Sequence, residues 1–274
     1  MAKLQAKLYR AAVYAGAAFS VSVLVLIVGY ILVKGIPHLS PELFAWEYNS
    51  TNVSMMPAII NTLLMTLLSL LVCVPLGIGA AIWLTEYAPR GSRLVKLVRM
   101  TAETLSGIPS IIYGLFGSLF FVVAMGMGLS LLSGALTLSI MVLPTIMRTT
   151  EEALLAVPDS YREGSFGLGA GRLRTTFKVV LPSAVPGILS GVILAIGRIV
   201  GETAALIYTA GTVPEVPESL LDSTRTLAVH MYTISTEGLY IDQSYATAVV
   251  LLVMVLLINS LSALIAKRVG GKHA

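Results

Sequence analysis

Arg198 and Glu202 stand four residues apart inside the apolar run 184–210. A lone charge near the bilayer centre costs about 2.5–3.5 kcal/mol on insertion scales, so charges kept there mark a function or a fixed contact. On a continuous helix this spacing puts both on one face, within reach of each other. Two readings fit. In one, a buried ion pair fixes helix packing. In the other, Arg198 is a pathway cation for an anionic solute, and Glu202 offsets its charge so that the anion can leave again. The guanidinium fork suits phosphate, which carries one to two negative charges near neutral pH.

Steps of three or four along the same face collect Gly187, Gly191, Ala195, Ala205 and Thr209, all small or polar. Leu189, Ile193, Ile196, Val200 and Ile207 fall opposite. A second small stripe, Thr62, Thr66, Ser69, Cys73, Gly77 and Ala80, runs through 58–84. Such stripes let helices approach closely or wall a pathway; for the small residues alone, packing is the favoured reading. The single cysteine, Cys73, is then a packing residue. One cysteine allows neither an internal disulfide nor a cysteine-rich metal site.

The other informative stretch is 148–183. Glu151–Ala156 suits a short helix that Val157-Pro158 ends, because the residue before proline avoids helical angles. Ser160 and Glu163 fit a capping box for a second helix reaching about Phe166. Gly167 and Gly169 can end it at positive φ. A third helix, basic on one side and apolar on the other, runs Arg172–Val180 and stops before Pro182. Three ordered helices in a connecting loop make a platform for a partner protein, or an interfacial loop resting on anionic lipid.

The elements that position these groups must cross a membrane. Apolar residues make up 56% of the 274, and charged residues 12%, about half the share of a soluble domain. Six segments approach the roughly 20 apolar residues a spanning helix needs: about 11–33, 58–84, 108–126, 130–147, 184–210 and 245–266. Lipid offers open backbone groups no partner, so each must be helical. The first follows Lys3, Lys7 and Arg10 and is too long for a signal-peptide core; it reads as a retained span.

Of 18 Lys and Arg, 15 fall in the N-terminus, the 85–107 and 148–183 loops and the C-terminal tail. Lys34 and Arg225 lie on the other side, so both termini are expected to be cytoplasmic. This placement, in short loops between apolar runs, argues against nucleic acid as the target of the +4 charge. The outer loops carry Glu42, Glu47, Glu215, Glu218, Asp222, Glu237 and Asp242. That acidic surface either docks a binding protein or is merely solvated. Leu227, Met231 and Ile234 suit a short helix lying on the membrane. His38, His230 and His273 show no ligand spacing and read as surface residues. The chain carries no GxxxxGK[ST] loop, no HExxH and no GxSxG.

Glu163-Gly164-Ser165, three residues to Gly169, nine to Val179, then Val180-Leu181-Pro182 resembles the cytoplasmic motif of ABC importer permeases. That motif runs Glu-Ala-Ala, three residues, Gly, nine residues, Ile-x-Leu-Pro. Every spacing fits; Gly164 and Ser165 stand for the alanines and Val179 for the isoleucine. Gly197–Ala205, Ser106–Leu115, Pro75–Ala80 and Tyr245–Ala248 are similar to segments of phosphate importer permeases, so the resemblance covers the chain from about residue 58 onward. It implies an all-α integral membrane protein with six transmembrane helices and cytoplasmic coupling helices, the type I ABC importer permease (MetI-like) fold, as one domain over 1–274. Coupling would run through Ser160, Glu163, Gly164, Ser165, Gly169, Leu181 and Pro182, seated in a groove of a separate ATPase.

The implied partners are a homologous permease forming a heterodimer, a cytoplasmic ATPase dimer, a periplasmic or extracellular phosphate-binding protein, phosphate itself and membrane lipid. No cofactor is implied, and ATP hydrolysis belongs to the partner. The implied location is the bacterial cytoplasmic (inner) membrane. Three alternatives remain. A stand-alone secondary transporter or channel leaves the ordered segment 160–182 without a job. An intramembrane enzyme lacks a nucleophile–base or metal-ligand set. Another oxyanion such as sulfate is the runner-up cargo.

Overall fold

The computed structural model describes residues 2–89 and 91–270, all helix and connecting turns. Arg90, Lys272 and His273 lie outside them. Five helices are long and apolar enough to cross a membrane, and a sixth span results if one bent pair is counted as a unit.

The first helix, α1 (Ala2–Gly35), runs as a peripheral arm along α11 (Ile241–Gly270). Tyr30 and Tyr245 meet edge to face at 5.9 Å, and Gly35 lies against the Tyr245 carbonyl, where any side chain would collide. Most other large residues of α1, among them Phe19 and Leu26, stay exposed, as expected of a lipid-facing surface.

The centre of the bundle is the pair α2 (Met56–Ile82) and α5 (Leu131–Leu155). The small stripe of α2 is its contact face: Thr62, Ser69, Cys73 and Gly77 are buried. A Cβ at Gly77 would fall 2.8 Å from Ile146 Cγ2. Hydroxyls on this face bond within the protein. Thr62 Oγ1 donates to Ala58 O at 2.7 Å, and Ser139 Oγ donates to Ala135 O at 2.7 Å and Ser69 O at 3.0 Å. In lipid such back-bonding is how a small polar residue avoids an unpaired group.

The third predicted span is shorter than expected, and the loop before it is helical. The amphipathic α3 (Arg93–Ser106) meets the next segment at 102°. Pro109 starts α4 (Ser110–Gly117), and Tyr113 Oη donates to Leu105 O at 2.8 Å across the corner. With the π-helical stretch Ser118–Ala124, the segment reaches about 22 Å, against a hydrocarbon core of about 30 Å. One face of it packs closely on its neighbours, where a Cβ at Gly114 would lie 2.7 Å from Ala205 Cα and Gly117 abuts Thr137 and Thr209, while Ile112, Phe116 and Leu119 stay exposed on the other. Gly126 and Gly128, at φ +67° and +66°, form the hairpin into α5. There Ser130 caps the helix by accepting from Ser133 N at 3.2 Å.

Two boundaries differ from the sequence reading. Glu151–Ala156 is no separate helix; α5 continues through Leu155, and Val157-Pro158 ends that longer helix. The segment Arg172–Val180 does not stop before Pro182 either. It comprises α7 (Arg172–Thr175) and a π-helical stretch Thr176–Val180, and it runs directly into α8 (Leu181–Val200). Pro182 follows the π-helical turn, where the Leu181 N–H already reaches back to the Thr176 carbonyl rather than along the α ladder, and Ser183 Oγ donates to the Val179 carbonyl at 2.8 Å.

The predicted span 184–210 is broken at Gly201–Thr203 and resumes as α9 (Ala204–Thr209). The helix α10 (Leu227–Glu237) does not lie on a membrane surface. Leu227, Ala228, Val229, His230 and Ile234 are buried as it packs against α11 and α2.

Candidate functional site

The helix α6 (Asp159–Gly167) matches the predicted second loop helix, but Pro158 starts it and no side chain caps it. The Ser160–Glu163 capping box is therefore not formed. The proline already fixes the entry turn, and both side chains stay exposed. The far end closes at Gly169, whereas Gly167 stays in the helix without positive φ. Gly169 adopts φ +82°, Gly169 N donates to Phe166 O at 2.9 Å and Ala170 N to Ser165 O at 3.1 Å, a left-handed glycine cap. Gly164 is exposed, and a Cβ there would meet nothing within 4 Å. Ser165 turns inward and shares a 2.8 Å hydrogen bond with Thr175 Oγ1, tying α6 to α7. Leu181 packs in the apolar cluster of Leu154, Val157, Val180 and Ala184.

The outer side of this platform is apolar where a soluble loop would be polar. Leu168 is 91% exposed and Leu173 66%, with Tyr161 and Phe166 also uncovered. Four large apolar side chains left uncovered on one short segment favour an interaction surface there. Beneath it lies a residue that sequence reasoning missed. Arg162 donates to Glu86 Oε1 at 2.7 Å, to Leu154 O at 2.9 Å and to Val157 O at 2.8 Å. One guanidinium thus fastens α6 to the end of the α2 segment and to the last turn of α5. Both side chains are largely buried, so this is a charge-assisted clamp. No local spacing signals it, because the partners are 76 residues apart. Arg99 and Glu151, at 2.6 Å, tie α3 to α5 in the same region.

The Arg198–Glu202 pair is not formed as predicted; among the described residues they make no ion pair. The helix ends at Val200 and the chain unwinds through Gly201–Thr203, which removes the i,i+4 geometry. Glu202, 8% exposed, turns to the next helix, and its Oε1 accepts from Ala205 N at 3.1 Å. Arg198 sits in the last turn of α8. Each charge therefore lies at the helix end whose dipole favours it. Broken helices at membrane depth persist where the open backbone lines a cavity or is buried in protein.

Arg198 lines a cavity of about 580 Å³ with Ser190, Ile193, Leu194 and Gly197 of α8, Thr145 of α5 and Asn259 of α11. Its guanidinium has no hydrogen-bond partner among the described residues. The small stripe of α8 faces elsewhere. A Cβ at Gly187 would fall 2.6 Å from Ala153 Cβ, and Gly191 lies against Thr149, so the glycines seal α8 to α5. Ile193, assigned by periodicity to the side away from Arg198, shares its cavity.

Toward the opposite end, Arg225 is not a surface cation. It is 3% exposed beneath the 211–226 loop, 4.7 Å above the Tyr48 ring. His230, fully buried beside it, is likewise no surface residue. Burial, then the Arg225 charge, push its imidazole down to about 3. The acidic groups Glu42, Glu47, Glu215, Glu218, Glu237 and Asp242 remain exposed. His38 is partly exposed, 3.7 Å from Asp242.

Comparison with known proteins places this geometry. Residues 73–271 match the family described as "Binding-protein-dependent transport system inner membrane component". The chain is 34% identical to "Probable ABC transporter permease protein YqgI" of Bacillus subtilis, over 89% of this chain and 88% of that one. It is 31% identical to the phosphate transport system permease protein PstC of Mesorhizobium japonicum (83% of this chain, 78% of that). It is 38% identical to the phosphate transport system permease protein PstA of Xylella fastidiosa strain 9a5c (65% and 62%). Among solved structures, the fold is similar to a chain of the bacterial alginate ABC transporter (TM-score 0.67, 18% identity, 94% and 95% covered). It is also similar to one of the MetNI methionine ABC transporter in an inward-facing conformation (TM-score 0.63, 23% identity, 78% and 95% covered). The expected all-α importer-permease fold is thereby established.

Proposed function

Since the chain belongs to the family of binding-protein-dependent transport system inner membrane components, and is a multi-pass permease subunit of an ABC importer, we propose that its cargo is inorganic phosphate. The observation that carries this is Arg198: an arginine at a helix break, lining a cavity between spans, with its fork of donors free. A half-buried guanidinium without a protein partner, in an otherwise largely apolar lining, calls for an anion of matching geometry. Relatives named as phosphate transport system permeases support the same cargo. Of the two sister permeases of such a system, we assign this chain to the PstA type on its length and its Thr224–Gly238 segment.

In this reading both termini and the α6 platform are cytoplasmic, as the placement of the basic residues favours, and the membrane is the bacterial inner membrane. A homologous permease completes the pathway, and a binding protein delivers phosphate to the acidic outer face. A separate ATPase dimer receives α6, with Ser160, Glu163, Gly164 and Gly169 at the contact, Ser165 holding α6 to α7 behind it, and Leu181-Pro182 carrying motion into α8. Nucleotide binding shifts the population between inward-open and outward-open arrangements. This chain performs no covalent chemistry.

The clamp makes the lever rigid. Displacing α6 drags Glu86 and the end of α5 with it, so movement at the ATPase reaches the two central helices. The test is phosphate uptake by proteoliposomes holding both permeases and the ATPase, with the binding protein and ATP inside and outside as needed. ATP-dependent uptake of phosphate, and not of sulfate, supports the reading; uptake of sulfate alone would replace the cargo.

A further inference from the structure

The cavity of Arg198 contains a second polar group with nothing to bond. Asn259 sits near the middle of α11 against Gly197, where a Cβ would come within 3.8 Å of both amide atoms. Its Oδ1 is buried and accepts no hydrogen bond among the described residues. The nearby Ser190 hydroxyl is already committed to the Pro186 carbonyl at 3.0 Å. A buried amide acceptor without a partner is costly to keep in an apolar helix, and it calls for a donor that arrives from elsewhere.

Arginine brings donors only. It therefore cannot separate phosphate from sulfate, which are both tetrahedral sets of four oxygens. The difference is a proton. Near neutral pH phosphate retains one or two hydroxyls, while sulfate has none. A site that reads a hydroxyl needs an acceptor placed for it, and it rejects an analogue without that hydroxyl because the acceptor is then left unpaired.

We infer that Asn259 is a specificity-determining residue of the pathway: its Oδ1 accepts the hydroxyl proton of a protonated tetrahedral oxyanion while Arg198 donates to the charged oxygens. The inference rests on the phosphate reading of the cargo. An amide suits the role better than a carboxylate, because it accepts without adding negative charge opposite an anion that must also depart.

The experiment uses the assembled transporter in proteoliposomes with its binding protein and measures phosphate uptake from mildly acidic to mildly alkaline buffer. Asn259→Leu removes the acceptor at similar volume. Uptake falls about tenfold or more, the scale of one unpaired buried group, while the complex is recovered in wild-type yield. Asn259→Asp keeps an acceptor but repels the doubly charged anion, so its uptake maximum moves toward acid. Wild-type uptake by Asn259→Leu, or a wild-type pH profile for Asn259→Asp, overturns the role. Should the leucine variant fail to assemble, the aspartate profile decides. A wild-type complex that imports no phosphate refutes the cargo reading first, and the acceptor role with it.

Discussion

Arg162 Nη2 donates to Glu86 Oε1 at 2.7 Å, joining the helix α6 to the far end of the central helix α2. The same guanidinium reaches the carbonyls of Leu154 and Val157, so three elements meet on one side chain. Glu86→Gln leaves the largely buried Arg162 with only the exposed Asp159, at 3.2 Å, as its anion, at a cost on the order of 2 kcal/mol. The expected result is a lower melting temperature together with ATP turnover that no longer drives solute uptake. Arg162→Lys, which keeps charge but not the fork, produces a partial form of the same defect. Uptake and ATPase stimulation in both variants equal to wild type would refute the clamp as a transmission contact.

Gly164 separates docking from folding. Nothing lies within 4 Å of a Cβ there, and the residue is helical. Gly164→Ala therefore keeps the fold and gains up to about 1 kcal/mol of helix propensity. Gly164→Trp also keeps the fold, by circular dichroism and melting, but the ATPase no longer co-purifies. Retention of the ATPase by the tryptophan variant would place the docking surface elsewhere.

The helix break gives Arg198 and Glu202 independent roles. Arg198→Gln abolishes uptake while the complex still assembles. Glu202→Leu removes the cap on α9 and lowers stability by about 1 kcal/mol; Glu202→Gln retains an oxygen for Ala205 N and is milder. Since no ion pair or hydrogen bond joins the two side chains among the described residues, their stability effects add to within about 0.5 kcal/mol in a double-mutant cycle. A larger coupling would restore the ion pair that the continuous helix implied.

That pair shows where sequence reasoning stopped. The composition and length of the apolar runs identified the spanning helices, and the small stripe of α2 marked a packing face, because both follow from local periodicity; that the face meets α5 is seen only in the fold. The glycines of α8 were recognised as a packing face for the same reason. The break at Gly201–Thr203 was not, since no proline marks it and the run reads as one helix. Arg162 and Glu86 were invisible because only the tertiary fold brings residues so distant together. The corner at Gly107–Pro109 was read as a span start, although Arg93–Ser106 has amphipathic spacing that a helical reading of the loop would have used.

His230 predicts acid sensitivity at its end of the bundle. Its imidazole, ordinarily near 6.5, is held at about 3 first by burial and then by Arg225. Between those values the unfolded chain binds a proton that the folded protein excludes. Stability therefore rises with pH across the window and is lost as acidification proceeds from about 6.5 toward about 3. Each pH unit inside it costs up to about 1.4 kcal/mol. Melting temperatures of the purified protein trace that slope in wild type. His230→Phe keeps the edge contact with Tyr48, whose ring centroid lies 6.1 Å away, and flattens the slope. Equal slopes would contradict the assignment.

Transport by this chain requires α6 to be moved by a separate ATPase. The most direct test is radiolabelled phosphate uptake into proteoliposomes that contain this chain and its sister permease, with and without the ATPase subunit. Uptake should appear only with the ATPase, its nucleotide and an intact Gly164. Phosphate accumulating at the same rate in vesicles that lack the ATPase would contradict it.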